Sequence, residues 1–278
     1  MKNSNRMKFK LATWSIRQAL KQQNLWGRFK KLEEVCPDIG DQYTHATVDT
    51  EYKKVNVRGM HAFQVDVALR ALDLWTERKG GKGDKLKVVD LGDSSGNHLL
   101  YLKSLRPEVP LDELSINMDP VAVRKIRAKG LKALVSTVEE FAYCTQSMGM
   151  GVDVVMMFEV LEHLECPIAF LKGLSLNKGG LLVVTVPFVR ESRVGLWRSE
   201  VWKEEEGSAK VAEGAHIFEL SPQDWQLVFA YAGWKCVYER VYYQYPRWAL
   251  RWLAGWLWRR KDYEGFYGCI LERGKSGE

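Results

Sequence analysis

Residues 88–98 read Val88-Val89-Asp90-Leu91-Gly92-Asp93-Ser94-Ser95-Gly96-Asn97-His98. The apolar, β-branched run stops at Asp90. Two glycines four positions apart then open a segment in which Leu99, Leu100, Leu102 and Leu105 fall at helical spacing. This pattern is strand, tight turn, helix. Glycines in such a turn let the backbone reverse and admit a ligand close to the main chain, while free N–H groups at the helix start favour an anionic or strongly polar group. Strand-like and helix-like segments alternate downstream, so the unit is the first crossover of a mostly parallel sheet, whose ligands sit beyond the carboxyl ends of its strands.

Moving outward, Leu114 to Pro120 is a short strand closed by the acid Asp119 after Met118, and a carboxylate at the end of a second strand can accept both hydroxyls of a ribose. The same Asp119 also suits the N-cap of a helix from Val121 to Lys129. A third strand is expected from Ala133 to Val138, and a buried fourth from Val152 to Phe158 enters Glu159-Val160-Leu161-Glu162-His163-Leu164. Gly179-Gly180 precede a fifth apolar run ending at Pro187, and the last two strands are expected over Trp234 to Gln244 and Phe266 to Glu272. A dinucleotide-binding turn needs GxGxxG, which Gly92, Ser94 and Gly96 match poorly.

Asp90-Leu-Gly92-Asp93-Ser94-Ser-Gly96 instead resembles the DxGxGxG first motif of class I S-adenosylmethionine (SAM) methyltransferases, with Ser94 replacing the middle glycine. EVLEHL at 159–164 is similar to the fourth-motif region of methyltransferases of the ubiquinone-biosynthesis type, and the Gly179-Gly180 strand and His216-Ile-Phe218 follow in the family's order. The resemblance implies a Rossmann-like α/β fold: a seven-stranded, mostly parallel sheet with an antiparallel last strand, helices on both faces and an N-terminal helical extension. It implies SAM as cofactor, held by Asp90, Gly92, Asp93, Ser94, Gly96, Met118, Asp119, Phe158 and Glu159. Thr137 falls where related enzymes often carry an acid for adenine, and Arg58, spaced by three from His61 and His61 from Gln64, is expected to reach the methionine carboxylate.

SAM carries an activated methyl group, so the protein has to align donor and acceptor and, for a hydroxyl acceptor, remove a proton. His163 and His216 are the candidate catalytic residues, with side chains suited to general-base work. Glu159, Glu162 and His163 at i, i+3 and i+4, with His216, could also ligate a divalent metal, as in related metal-dependent O-methyltransferases. The plain reading, in which they cap and anchor the turn, is preferred to the metal. The Asp262-Tyr-Glu-Gly-Phe-Tyr-Gly268 end resembles methyltransferases associated with bacterial surface polysaccharides, which points to O-methylation of a glycan or lipid-linked acceptor. Methylation of a quinone-like or small aromatic acceptor, and a non-catalytic SAM-fold binding or scaffold protein, are the alternatives.

The 278 residues, 46% of them apolar, suit one methyltransferase domain over 81–278 behind a helical extension over 1–80. Insertions are expected at about 188–215, as a lid with Trp197, Trp202 and several arginines, and at about 246–262, as a helix. Five scattered cysteines without a CxxC pair suggest reduced thiols in a cytoplasm, and neither a membrane span nor a signal peptide is evident. The net charge of +6 is modest and does not favour a nucleic-acid partner, yet nine basic residues precede the first acid, Glu33. An amphipathic helix is expected from Lys8 to Leu32, with Phe9, Trp14, Ile16, Leu20, Leu25 and Phe29 in its apolar set. In RWALRWLAGWLWRRK at 247–261, Trp252, Trp256 and Leu257 are expected on the apolar face and Trp258 off it, a composition suited to an anionic membrane surface or to packing on the protein itself.

Overall fold

The computed structural model describes residues 2–44, 46–79, 85–194, 216–247, 251–261 and 263–274. Three helices come first: α1 (Lys2–Gln22), α2 (Trp26–Val35) and α3 (Glu51–Lys79). Alternation then begins with β1 (Leu86–Leu91), α4 (Asn97–Leu105), β2 (Leu111–Asn117), α5 (Pro120–Ala128), β3 (Ala133–Val135) and α6 (Val138–Ser147). It continues through β4 (Val154–Phe158), a 3-10 turn (Leu161–His163), α7 (Pro167–Gly173) and β5 (Leu181–Pro187). A two-stranded ribbon, β6 (Arg193–Val194) with β7 (Phe218–Glu219), precedes α8 (Pro222–Tyr231), β8 (Trp234–Tyr243), α9 (Arg251–Lys261) and β9 (Gly265–Arg273).

The main sheet has the order β3-β2-β1-β4-β5-β9-β8, with β9 antiparallel to both of its neighbours. β4 and β5 are buried throughout, as expected of central parallel strands whose faces are both covered by helices. Helix starts follow local chemistry. Asp119 caps α5 with Pro120 in its first turn, Thr137 and Glu140 form a reciprocal capping box on α6, and Ser221 caps α8 ahead of Pro222. Helices α1 to α5 share one core with the sheet through residues such as Leu20, Phe63, Leu99 and Ile126, and α6 to α8 pack the opposite face through Phe141, Phe170 and Trp225. Connections from β1 lead to β2 on one side while β4 lies on the other, so a crevice opens at the carboxyl ends of β1 and β4.

Two helical expectations are corrected. The single helix over 8–32 is two helices, broken where Asn24 takes a left-handed φ of 60°. Phe9 and Trp14 are exposed, whereas Ile16, Leu20, Leu25 and Phe29 are buried. In α9, Trp258 is buried and its indole N–H donates to Ser15 Oγ at 3.4 Å, while Trp256 and Leu257 are exposed. Gly255 leaves room on α9 for Tyr245 and Glu264, which a Cβ there would meet at 2.8 and 3.0 Å. Residues 195–215, the greater part of the expected lid, and the side chain of Trp252 lie outside the described residues.

Candidate active site

At the carboxyl ends of β1, β4 and β5 lies a cavity of about 950 Å³. Asp90, Gly92, Asp93, Ser94, Met118, Phe158, Glu159, His163 and His216 line it, which unites nine of the residues singled out from sequence. Gly92 and Gly96 both have φ of 79°, and a Cβ on Gly92 would stand 2.4 Å from Val160 Cγ2. Glycine is therefore required there by backbone conformation and by space. Gly96 supports the loop from behind, as the N-cap of α4, and does not line the cavity.

Asp93 is largely engaged by the loop itself. Its Oδ1 accepts the N–H groups of Ser95 at 3.1 Å and Gly96 at 2.7 Å, and its Oδ2 accepts the Ser115 hydroxyl at 2.6 Å. Asp119 does not line the cavity; its Oδ1 accepts the Val121 N–H at 2.7 Å. Asn117 takes the position facing inward, donating to the Asp93 carbonyl at 2.9 Å and accepting the Asp119 N–H at 2.7 Å. Thr137 lines the cavity while its hydroxyl caps α6.

Arg58 is a correction. It is buried, donates to the carbonyls of Cys36 and Pro37 at 2.9 and 2.8 Å, and is absent from the cavity wall. Its helix neighbours His61 and Gln64 face the cavity instead. Gln42 went unnoticed in the sequence, where a glutamine between two helices carries no signal. Its amide N–H donates to Ser94 Oγ at 2.9 Å, and its Oε1 accepts from Ser95 Oγ at 3.0 Å and Asn97 Nδ2 at 2.7 Å, so the segment before α3 braces the glycine loop.

A buried polar row crosses the cavity floor. Asp90 lies 3.4 Å from His98 Nδ1, His98 Nε2 is 3.0 Å from Gln64 Oε1, Gln64 donates to Thr185 Oγ1 at 3.3 Å, and Thr185 donates to Glu159 at 2.9 Å. With Nε2–H given to Gln64, His98 Nδ1 is an acceptor towards Asp90. That suits a protonated Asp90, whose pKa is pushed up to about 7 by burial and then by the Asp93 carboxylate. His61 is fully buried with neither ring nitrogen hydrogen-bonded, and burial followed by the neighbouring His98 holds it neutral. Glu159 completes the row with a left-handed φ of 55°, a strained conformation of the kind found where a side chain is aimed for function.

The opposite end of the cavity carries His163 and His216, whose rings meet edge to face at 4.6 Å. Tyr263 O–H donates to Glu219 at 2.5 Å and lies 2.8 Å from His216 Nδ1. Burial alone would raise the Glu219 pKa, but bonds from His216, Tyr263 and Arg193 outweigh it and hold the carboxyl at about 2. Glu162 is fully buried beside them, 4.0 Å from His163, with neither carboxylate oxygen hydrogen-bonded. Burial, then the charge of Glu159, pushes its pKa well up.

A methyltransferase domain profile matches residues 62–239, more than half of the chain. The chain belongs to the methyltransferase domain family. The match begins inside α3 and ends inside β8, so it takes in both ends of the cavity. No curated protein matches the methyltransferase in sequence. Among solved structures, a SAM-dependent methyltransferase from Leishmania major aligns with a TM-score of 0.50 and 10% identity, over 89% of this chain and 82% of that one. The [4+2]-cyclase SpnF aligns equally well, with a TM-score of 0.50 and 14% identity over 92% and 96% of the two chains. A Burkholderia thailandensis 1,6-didemethyltoxoflavin-N1-methyltransferase holding its substrate and S-adenosylhomocysteine (SAH) has a TM-score of 0.48 and 12% identity, over 75% and 79%. The first two establish the fold, and since one of them is named a cyclase, fold alone does not define the acceptor chemistry.

Proposed function

We propose that this methyltransferase uses SAM to methylate a hydroxyl of a saccharide or lipid-linked acceptor. One observation carries the reading: a single cavity joins the glycine loop at Gly92 to the His163–His216 pair. The cofactor is SAM, and the unpartnered atoms on the floor suit its amino-acid part. Asp90 faces the ammonium, and His61, buried without a hydrogen-bond partner, faces the carboxylate. Met118, Asn117 and Thr137 line the nucleoside side, and Asp119, outside the cavity wall, serves as the cap of α5. When bound, SAM would supply an activated methyl carbon on sulfonium, and the chain's task would be to align the acceptor hydroxyl with it and take up the hydroxyl proton.

His216 is the base in this reading. Tyr263 gives its proton to Glu219, so its oxygen accepts His216 Nδ1–H and leaves Nε2 with the lone pair. His216→Ala should lower kcat by roughly 10²- to 10⁴-fold while calorimetry shows SAH still bound. A second reading rests on Glu162, whose buried carboxylate has two unbonded oxygens within reach of His163 and His216. Those three residues would hold a divalent ion that polarises the acceptor hydroxyl. Turnover lost in EDTA and regained with Mg²⁺ or Mn²⁺, and lost again in Glu162→Gln, selects the ion; full turnover in EDTA leaves the base. Acceptor class is tested by mass spectrometry of lipid-linked saccharide and quinone-type pools incubated with methyl-labelled SAM. Label only in the quinone pool overturns the saccharide assignment, and SAH binding without turnover on any pool indicates a scaffold.

A further inference from the structure

We infer that α1 and α9 together form a surface that seats the enzyme on an anionic membrane. α1 has two apolar faces: Ile16, Ala19 and Leu20 are buried against the core, while Met7, Leu11 and Trp14, at i, i+4 and i+7, are 64%, 61% and 49% exposed on the other side. An exposed apolar stripe at helical spacing is not required by this fold's own core. α9 extends it. Ser15, one turn from Leu11, contacts the buried Trp258, and α9 turns Trp256 and Leu257 outward, 40% and 54% exposed.

Charge selects the occupant. Residues 1–32 contain nine lysines and arginines and no acid. Lys10 and Lys21 fall along one flank of the exposed α1 stripe, where they can meet lipid phosphates while the apolar side chains enter the interface; Arg17 on the same flank is ion-paired with Glu51. No described helix is long and apolar enough to cross a membrane, so the contact is peripheral. The surface also adjoins the acceptor end of the cavity. Arg259 of α9 lines a cleft of about 280 Å³ together with Tyr263, which lines the active cavity as well. The surface is independent of which acceptor is methylated.

Co-sedimentation of the full chain with vesicles of phosphatidylcholine alone, or mixed with phosphatidylglycerol, tests the inference. Binding should require phosphatidylglycerol and fall steeply as salt is raised. It should drop about tenfold or more when Leu11 and Trp14, or Trp256 and Leu257, are changed to serine, while SAH affinity measured by calorimetry stays unchanged. Absence of sedimentation with anionic vesicles at low salt would overturn it. So would binding indifferent to the serine changes, which would mark unspecific charge attraction, or a dimer in solution that the same changes dissociate, which would mark the face as a contact between two copies.

Discussion

Asp90 shows most plainly how the site's needs oppose stability. Its folded pKa of about 7 lies above the ordinary aspartate value, because the carboxylate is sealed from water and faces Asp93. Between about pH 4 and pH 7 the folded chain retains a proton that the unfolded chain has lost, so this residue makes the protein less stable as pH rises through that window, with the penalty complete above about 7. Three pKa units correspond to about 4 kcal/mol. Asp90→Asn should therefore flatten the fall in unfolding free energy between pH 5 and pH 8 in urea titrations without ligand, and weaken SAH binding. Equal pH slopes in the two proteins would show that Asp90 ionises freely. His61 acts in the opposite sense: burial lowers its pKa, so the unfolded chain takes up a proton that the folded chain refuses, and stability is lost as pH falls below the ordinary imidazole value.

Among the elements, the segment between α2 and α3 matters more than its lack of regular structure suggests. Through Gln42 it holds Ser94, Ser95 and Asn97, and Lys129 of the turn after α5 donates to the Ser95 carbonyl at 2.8 Å, so the glycine loop is clamped from two sides. A serine at the middle glycine position of the motif is accommodated because its hydroxyl serves as the acceptor for Gln42. Gln42→Ala leaves several buried groups without partners and should cost about 1 to 3 kcal/mol of stability. Calorimetry should show a weaker SAH complex as well, because the loop that approaches the ligand is loosened. Stability lost with SAH affinity intact would confine Gln42 to a structural brace.

For the whole molecule, the cavity is built from widely separated parts of the chain, among them Gln42, His61, Gly92, Phe158, His216 and Tyr263. A ligand touching all of them ties the N-terminal helices to the last strands. At a hundred times its dissociation constant, SAH should add about 2.7 kcal/mol of stability. For a chain of this size that raises Tm by roughly 5 to 10 °C. Differential scanning calorimetry with SAH and with NADH checks it. A shift with NADH and none with SAH would reject the cofactor assignment.

By itself the sequence determined much of the backbone: the strand, turn and helix around Gly92 and Gly96, the alternation that follows, the cap at Asp119, and the places of the last two strands. Such signals are local, because burial periodicity, glycine conformation and caps act within a few residues. The pattern EVLEHL likewise marked where His163 would lie. Tertiary structure alone decided the partners. Arg58 and His61 stand one turn apart on α3, yet the arginine turns to the carbonyls of Cys36 and Pro37 and the histidine to the cavity. Trp256 and Trp258 are chemically alike, and only the packing of α9 on the core buries one and exposes the other. Gln42 and Glu219 carried no motif, and Tyr263 lay in the quoted 262–268 stretch without an assigned role, since a hydrogen bond between residues far apart in the chain depends on where the packed core sets their backbones, and no local spacing records that distance.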